Sequence, residues 1–252
     1  MGRDRAVRDH GRGRLAAPEG RTLTVTPGPE STVPADSDDP TGTAPAERVR
    51  RAAVTLVALA QDGLEFAPTD YDTDRYRKVQ AVATELLSVL TARPAAVLGL
   101  ELDRESGYAT PKVDVRGALV DEAGRLLLMR ERTDGRWSLP GGWADPGDRP
   151  AEAVAREIRE ETGYGARATK LVACWDRDAR GHVPPLSVGA YKLFFLCEAT
   201  GEVAAPDELE TLEIGWFGID ELPPLSHGRI NRHELERVLA HVADPGLPTE
   251  FD

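Results

Sequence analysis

Between Gly142 and Tyr164 the chain reads GWADPGDRPAEAVAREIREETGY, with five carboxylates, Asp148, Glu152, Glu157, Glu160 and Glu161, inside 14 residues. Glu157, Glu160 and Glu161 are spaced i, i+3, i+4, so on a helix their side chains converge on one side. They lie toward the helix C-terminus, where the dipole disfavours negative charge. Local propensity therefore gives no reason for the cluster. A divalent cation does: converging hard oxygen ligands suit Mg²⁺ or Mn²⁺, above all when substrate phosphates complete the shell. For the charge run alone the alternative is a solvated helix face salt-bridged through Arg156 and Arg159.

The elements around this segment must position it. Pro150 suits the first helical position and Gly163 the C-terminal stop. Between them Ala151, Val154, Ala155 and Ile158 form a face for the core. Arg149 falls at the N-cap and cannot accept the helix N–H bonds, so Asp148 is a candidate substitute cap. After Pro111, Val113, Val115, Gly117 and Leu119 alternate as in a strand, and RLLLMRER (125–132) is apolar on both faces, as in a central strand. Further strands are expected near 168–176, 189–199 and 213–217, and a last helix near 231–243. Strands, helix, strands, helix is an α/β pattern with a mixed sheet covered by helices. Ahead of it, residues 46–93 carry two amphipathic stripes, the first closed by Gly63 and the second starting near Asp72. They predict a helical hairpin that packs on the rest of the chain or on a second subunit. The expected organisation is a disordered tail (1–45), the hairpin (46–93), a linker (94–111) and a domain over 112–252.

Composition narrows the function. The formal net charge is -12, which argues against a nucleic-acid binder. It also means that a phosphate-bearing substrate needs local arginines or cations. No run of about 20 apolar residues could span a membrane, and the N-terminus has no apolar signal region. Cys174 and Cys197 lack metal-ligand spacing and read as reduced thiols of a cytoplasmic protein.

The wider spacing is Gly142, five residues, Asp148, seven residues, Arg156-Glu157-Ile158, one residue, Glu160-Glu161, one residue, Gly163-Tyr164. This resembles the Nudix box, with Asp148 standing where the family has Glu. RWSLPGGW before it and EIGWFGIDELP after it resemble flanking family segments. LVALAQDGLEFAPTDYDTDRYRKVQAVATELL, GYATPKVDVRGALV and PPLSVGAYKLFFLCEATG are similar to a bacterial subgroup with an N-terminal helical hairpin, ADP-ribose pyrophosphatase-like or CDP-choline pyrophosphatase-like. The resemblance implies a Nudix α/β/α sandwich and a homodimer through the N-terminal helices. It also implies Mg²⁺- or Mn²⁺-dependent hydrolysis of a nucleoside diphosphate joined to another moiety. By position, Glu157 and Glu161 become metal ligands, and Glu160 a third ligand or the base. Gly142 adds a backbone ligand, Asp148 a weaker one, and Arg156 fixes a box glutamate.

Substrate contacts are read residue by residue. Arg130, Arg132 and Arg136 precede the box and offer forks for phosphate. Arg116, mid-strand among apolar neighbours, either pairs with an acid or faces the cleft. Trp137 stacks a base or packs in the core. Asp176, Arg177, Asp178 and His182 form a polar loop that either sets specificity or is surface. Glu210 and Glu213 are candidate bases from outside the box, and His233-Glu234 reads as surface. Competing functions are a nucleotide sensor without catalysis, disfavoured by the retained glutamates, and a nucleoside triphosphate pyrophosphohydrolase.

Overall fold

The computed structural model describes residues 45–206 and 209–252. The expected tail lies outside the described residues except for Pro45, which opens the first helix. That helix, α1 (Pro45–Phe66), runs straight through Gly63. The glycine serves packing, not termination: a Cβ there would stand 2.2 Å from the Tyr76 ring, so its absence lets that tyrosine lie against the α1 backbone. α2 (Asp70–Thr91) starts at Asp70, capped by Thr69, whose hydroxyl accepts the Asp72 N–H. Residues 94–111 are not only a linker. Ala95–Leu102 form α3, and Leu98 and Leu102 close a small core with Ala53, Val57, Ala83 and Leu87. This short, mostly apolar segment carries no clear amphipathic period, so spacing alone predicts no helix there. The outer side of the helices keeps apolar residues in water: Val82, Leu86 and Val89 on α2 are 60, 37 and 82% exposed.

β1 (Lys112–Ala118), β5 (Ala190–Val203), β4 (Tyr164–Asp176) and β7 (Glu250–Phe251) make a mixed sheet in the order β1-β5-β4-β7. β1 runs parallel to β5, β5 antiparallel to β4, and β4 parallel to β7. A second sheet, antiparallel, has the order β3-β2-β6, from β2 (Leu126–Glu131), β3 (Trp137–Ser138) and β6 (Thr211–Phe217). The helix carrying the acids, α4 (Pro150–Thr162), packs on one side, with Val154 and Ile158 against Val115, Leu127 and Phe195. α5 (Arg232–Ala243) packs on the other, with Leu235 and Val238 against Leu126, Trp175 and Phe194. β2 is apolar on both faces because it feeds both cores. Gly117 admits α4 closely: a Cβ there would fall 2.5 Å from Ile158. Ala151, expected in the α4 core face, is exposed, and Ala153 is buried instead.

Both cysteines are free, and burial pushes the Cys197 thiol up to about 12, which leaves it unreactive. Among the described residues no helix is long and apolar enough to cross a membrane.

Candidate active site

Strand alternation sets the floor. Asp114 and Arg116 share one side of β1, while Gly117 turns to α4. Arg116 is both paired and in the cleft. Its Nε and Nη2 donate to the two Asp114 oxygens at 3.1 and 2.8 Å, its Nη1 donates to the Leu139 carbonyl, and it lines a cavity of about 810 Å³. Although burial disfavours its charge, the Asp114 carboxylate holds its pKa above the ordinary arginine value.

The stretch before α4 is pinned along β1. The N–H groups of Val115 and Gly117 donate to the carbonyls of Gly142 and Pro140, and the Ala144 N–H donates to Val113. Gly141 sits at φ +146, and a Cβ there would meet the Val115 carbonyl at 1.9 Å, so only glycine fits. Gly142, expected as a backbone ligand, lines the cavity, and its carbonyl accepts the Val115 N–H at 2.8 Å with one of its two lone pairs. Its missing side chain leaves room for Glu157, whose Oε2 lies 3.1 Å from where a Cβ would be.

α4 then divides its acids. Glu157 and Glu161 are buried, at 7 and 4% exposure, and both line the cavity. Glu161 Oε2 accepts the Gly141 N–H at 2.7 Å. Burial pushes Glu161 up to about 8, outweighing the pull of Arg116 and of that N–H. Burial also raises Glu157, against the opposing Arg156. Glu160, expected as third ligand or base, is exposed and does not line the cavity; it accepts from Arg156 at 3.1 Å. Asp148 also falls outside the cavity wall. Its Oδ2 accepts from Arg156 at 3.1 Å and from the Asp145 N–H, and it does not cap the helix, which has no side-chain cap at Arg149. Arg156 thus gathers Asp148, Glu157 and Glu160, with Glu157 Oε1 at 2.9 Å. That is the rotamer-fixing position expected for it.

Cations line the same cavity: Arg132, Arg177 and Arg229 lie on its wall. Arg130 does not. It points to the other side of β2, where its Nη2 meets Glu213 at 3.1 Å. Strand alternation puts the next residue, Glu131, on the cavity side, and the register shift here leaves Leu212 of β6 as the extra residue. Glu131 was missed: it is 5% exposed, accepts from Ser138 Oγ at 3.0 Å and pairs with Arg229 at 3.0 Å. The signal available was a carboxylate ending an otherwise apolar central strand, which is costly unless paired or used. Glu210 lines the cavity, whereas Glu213 is held by Arg130.

Trp137 is core. It meets Phe217 edge-on at 4.7 Å and does not reach the cavity. Asp178 is also structural: its two oxygens bind Arg50 of α1 at 2.9 Å and Arg177 at 2.8 Å, and all three side chains are buried. His182 and Glu234, read as loop and surface, are buried together with Lys192.

Among the described residues no three His, Cys, Asp or Glu side chains converge closely enough to hold a metal by themselves. The pair Glu157 and Glu161 still suits one. Two buried carboxylates made costly to ionise fit a cation whose shell is completed by phosphate oxygens and water.

Residues 110–238 match the NUDIX domain family, and residues 47–99 match the family described as the UDP-X-like, N-terminal oligomerisation domain. A protein of Bacillus subtilis (strain 168), provisionally named ADP-ribose pyrophosphatase YjhB, is 37% identical over 209 residues, covering 82% of this chain and 96% of its own. The crystal structure of a UDP-X diphosphatase superposes with a TM-score of 0.51 at 28% identity, over 82% of this chain and 99% of that one. An ADP-ribose pyrophosphatase from Streptococcus suis 89-1591 gives a TM-score of 0.51 at 34% identity, over 57% of this chain and all of its own.

Proposed function

The chain belongs to the Nudix hydrolases, and from that premise we propose that it cleaves the pyrophosphate bond of a nucleoside diphosphate joined to a second moiety. The products are a nucleoside monophosphate and the phosphorylated moiety. The carrying observation is the buried pair Glu157 and Glu161, which share the lining of a cavity of about 810 Å³ with several arginines. The names of the similar proteins favour ADP-ribose or a UDP-linked compound. CDP-choline, expected from the subgroup resemblance, belongs in the same test.

Glu157 and Glu161 would hold the divalent cation, Mg²⁺ or Mn²⁺. When bound, the cation neutralises phosphate charge and polarises the phosphoryl group. The chain's own residues do the rest. The Gly141 N–H fixes the Glu161 carboxylate, and Arg156 fixes Glu157. Arg132 and Arg229 would orient the diphosphate, while Arg177, donating to Gly228, Pro184 and Asp178, would hold the loop in place. Glu210, on the wall and outside the box, takes the proton of the attacking water. This moves the base from Glu160, whose carboxylate is turned to solvent and bound to Arg156. The exposed apolar stripe of α2 supports a homodimer formed through the N-terminal helices.

The test is a hydrolysis screen with Mg²⁺ and Mn²⁺ over ADP-ribose, UDP-glucose, CDP-choline and dGTP, with products separated by chromatography. The expected result is a nucleoside monophosphate from at least one diphosphate compound, lost in Glu161→Gln. Release of pyrophosphate from dGTP alone would replace this reading with the triphosphatase one. A folded, metal-binding protein with no turnover would replace it with a sensor.

A further inference from the structure

One ring at the cavity has no packing role. Trp143 is 47% exposed, although its backbone is fixed by a bridge to Asp114 and by the Ala144 N–H to Val113 bond. It is the aromatic side chain on the wall of the acidic cavity among the described residues. The other tryptophans are placed differently: Trp137 and Trp175 are core residues, and Trp216 meets Tyr164 edge-on. Trp143 also borders a second cavity of about 810 Å³ that reaches α3, and Pro184 and Leu186 line both. Trp143, Pro184 and Leu186 thus belong to the walls of both spaces, with the indole at their common border.

We propose that Trp143 is the stacking platform for the nucleobase, which lies in the outer cavity while the diphosphate lies in the inner one. This rests on the pyrophosphohydrolase reading above and names its base subsite. A flat, half-exposed indole held by backbone bonds offers a π-face to any base at little ordering cost. The charges beyond it select against the other ligand class that indoles favour, a quaternary ammonium. The outer cavity carries Arg93, Arg104 and Lys112 against Glu101 and Glu105. Arg93 pairs with Glu101 and Lys112 with Glu105, so one cation is in excess. An excess cation repels choline and donates to the carbonyls and ring nitrogens of a base.

The test reads binding without turnover. Tryptophan fluorescence of the full chain is titrated with UMP, AMP, ribose 5-phosphate and choline. Quenching by UMP or AMP, absent with ribose 5-phosphate and choline and lost in Trp143→Phe, supports the proposal. In parallel, Trp143→Ala should raise KM about tenfold, more than it lowers kcat, and Trp143→Phe should restore KM to within about threefold. Equal quenching by ribose 5-phosphate or choline, unchanged quenching in Trp143→Phe, or an unchanged KM in Trp143→Ala would overturn it. Failure of hydrolysis with quenching intact would sink the enzymatic reading and leave this one standing.

Discussion

Lys192 and Glu234 form a fully buried ion pair that braces the cavity, and removing one partner should show it. Lys192 Nζ lies 3.1 and 3.2 Å from the Glu234 oxygens and also donates to the Arg229 carbonyl. His182 Nδ1 lies 3.0 Å from the His227 carbonyl, and its Nε2 lies 2.8 Å from Glu234 and 2.9 Å from Lys192 Nζ. Burial pulls Lys192 down to about 8 against the attraction of Glu234. Burial opposes the Glu234 charge as well, but the His182 hydrogen bond and Lys192 outweigh it and hold the carboxyl below its ordinary value. At neutral pH both are therefore ionised. Lys192→Met leaves a buried carboxylate without its cation, a change that costs about 3–5 kcal/mol in general. The lower end applies, because the Asn231 N–H still donates to Glu234 at 3.0 Å. Lys192→Met/Glu234→Gln removes both charges and should recover to within about 1 kcal/mol of wild type, about 2–3 kcal/mol more stable than Lys192→Met. The glutamine can keep the Asn231 cap of α5. Denaturant midpoints of the four proteins at pH 7 measure this. KM should follow stability, because the braced loops carry Arg177 and Arg229 into the cavity. A Lys192→Met cost below about 1 kcal/mol, or a double variant no better than the single, would refute the reasoning.

Glu161 and Arg50 offer two further tests. Glu161 is raised by burial from its usual 4.5 to about 8, so between those values the folded metal-free protein holds a proton that the unfolded chain has released. Its stability should fall by about 2–3 kcal/mol from pH 5 to pH 7 on this account. In thermal melts Glu161→Gln should flatten that fall, and Mn²⁺ should stabilise the wild type and not the variant; parallel pH profiles of the two metal-free proteins would contradict it. Arg50 joins α1 to the Arg177 loop through Asp178, with both side chains buried, so Arg50→Ala should cost about 3 kcal/mol. Arg51→Ala, on the exposed face of the same helix, should change the denaturation midpoint little; equal effects would show that the link to Asp178 is not what Arg50 contributes.

The periodic elements were legible and the long-range pairs were not. β1, β2, α4 and α5 announce themselves by alternation or by a 3.6 period, so the order of strands and helices could be read from hydrophobic spacing. α3 could not, since a short, mostly apolar segment has no clear face to detect. Gly63 misled because a glycine near a helix end signals a stop, whereas here it makes room for a tyrosine from another helix. The buried pairs Arg50–Asp178 and Lys192–Glu234 join residues far apart in the chain. No local spacing marks them, and each half alone reads as surface.

The candidate site divides in the same way. Spacing treats Asp148, Glu157, Glu160 and Glu161 as one acidic group, and helical geometry alone cannot separate them: Glu160 lies 60° to one side of Glu157 and Glu161 40° to the other. What separates them is the strand beneath. Gly142 and Gly141 run along β1 without side chains, which opens the space that Glu157 fills and points one N–H at Glu161. Glu160, on the far side of Arg156, meets no such wall. Two acids are thus buried at a cost that a cation would offset, and two remain in contact with the arginine that holds the helix face in place. The motif specifies the number of carboxylates, and the glycine stretch decides which of them lose their water.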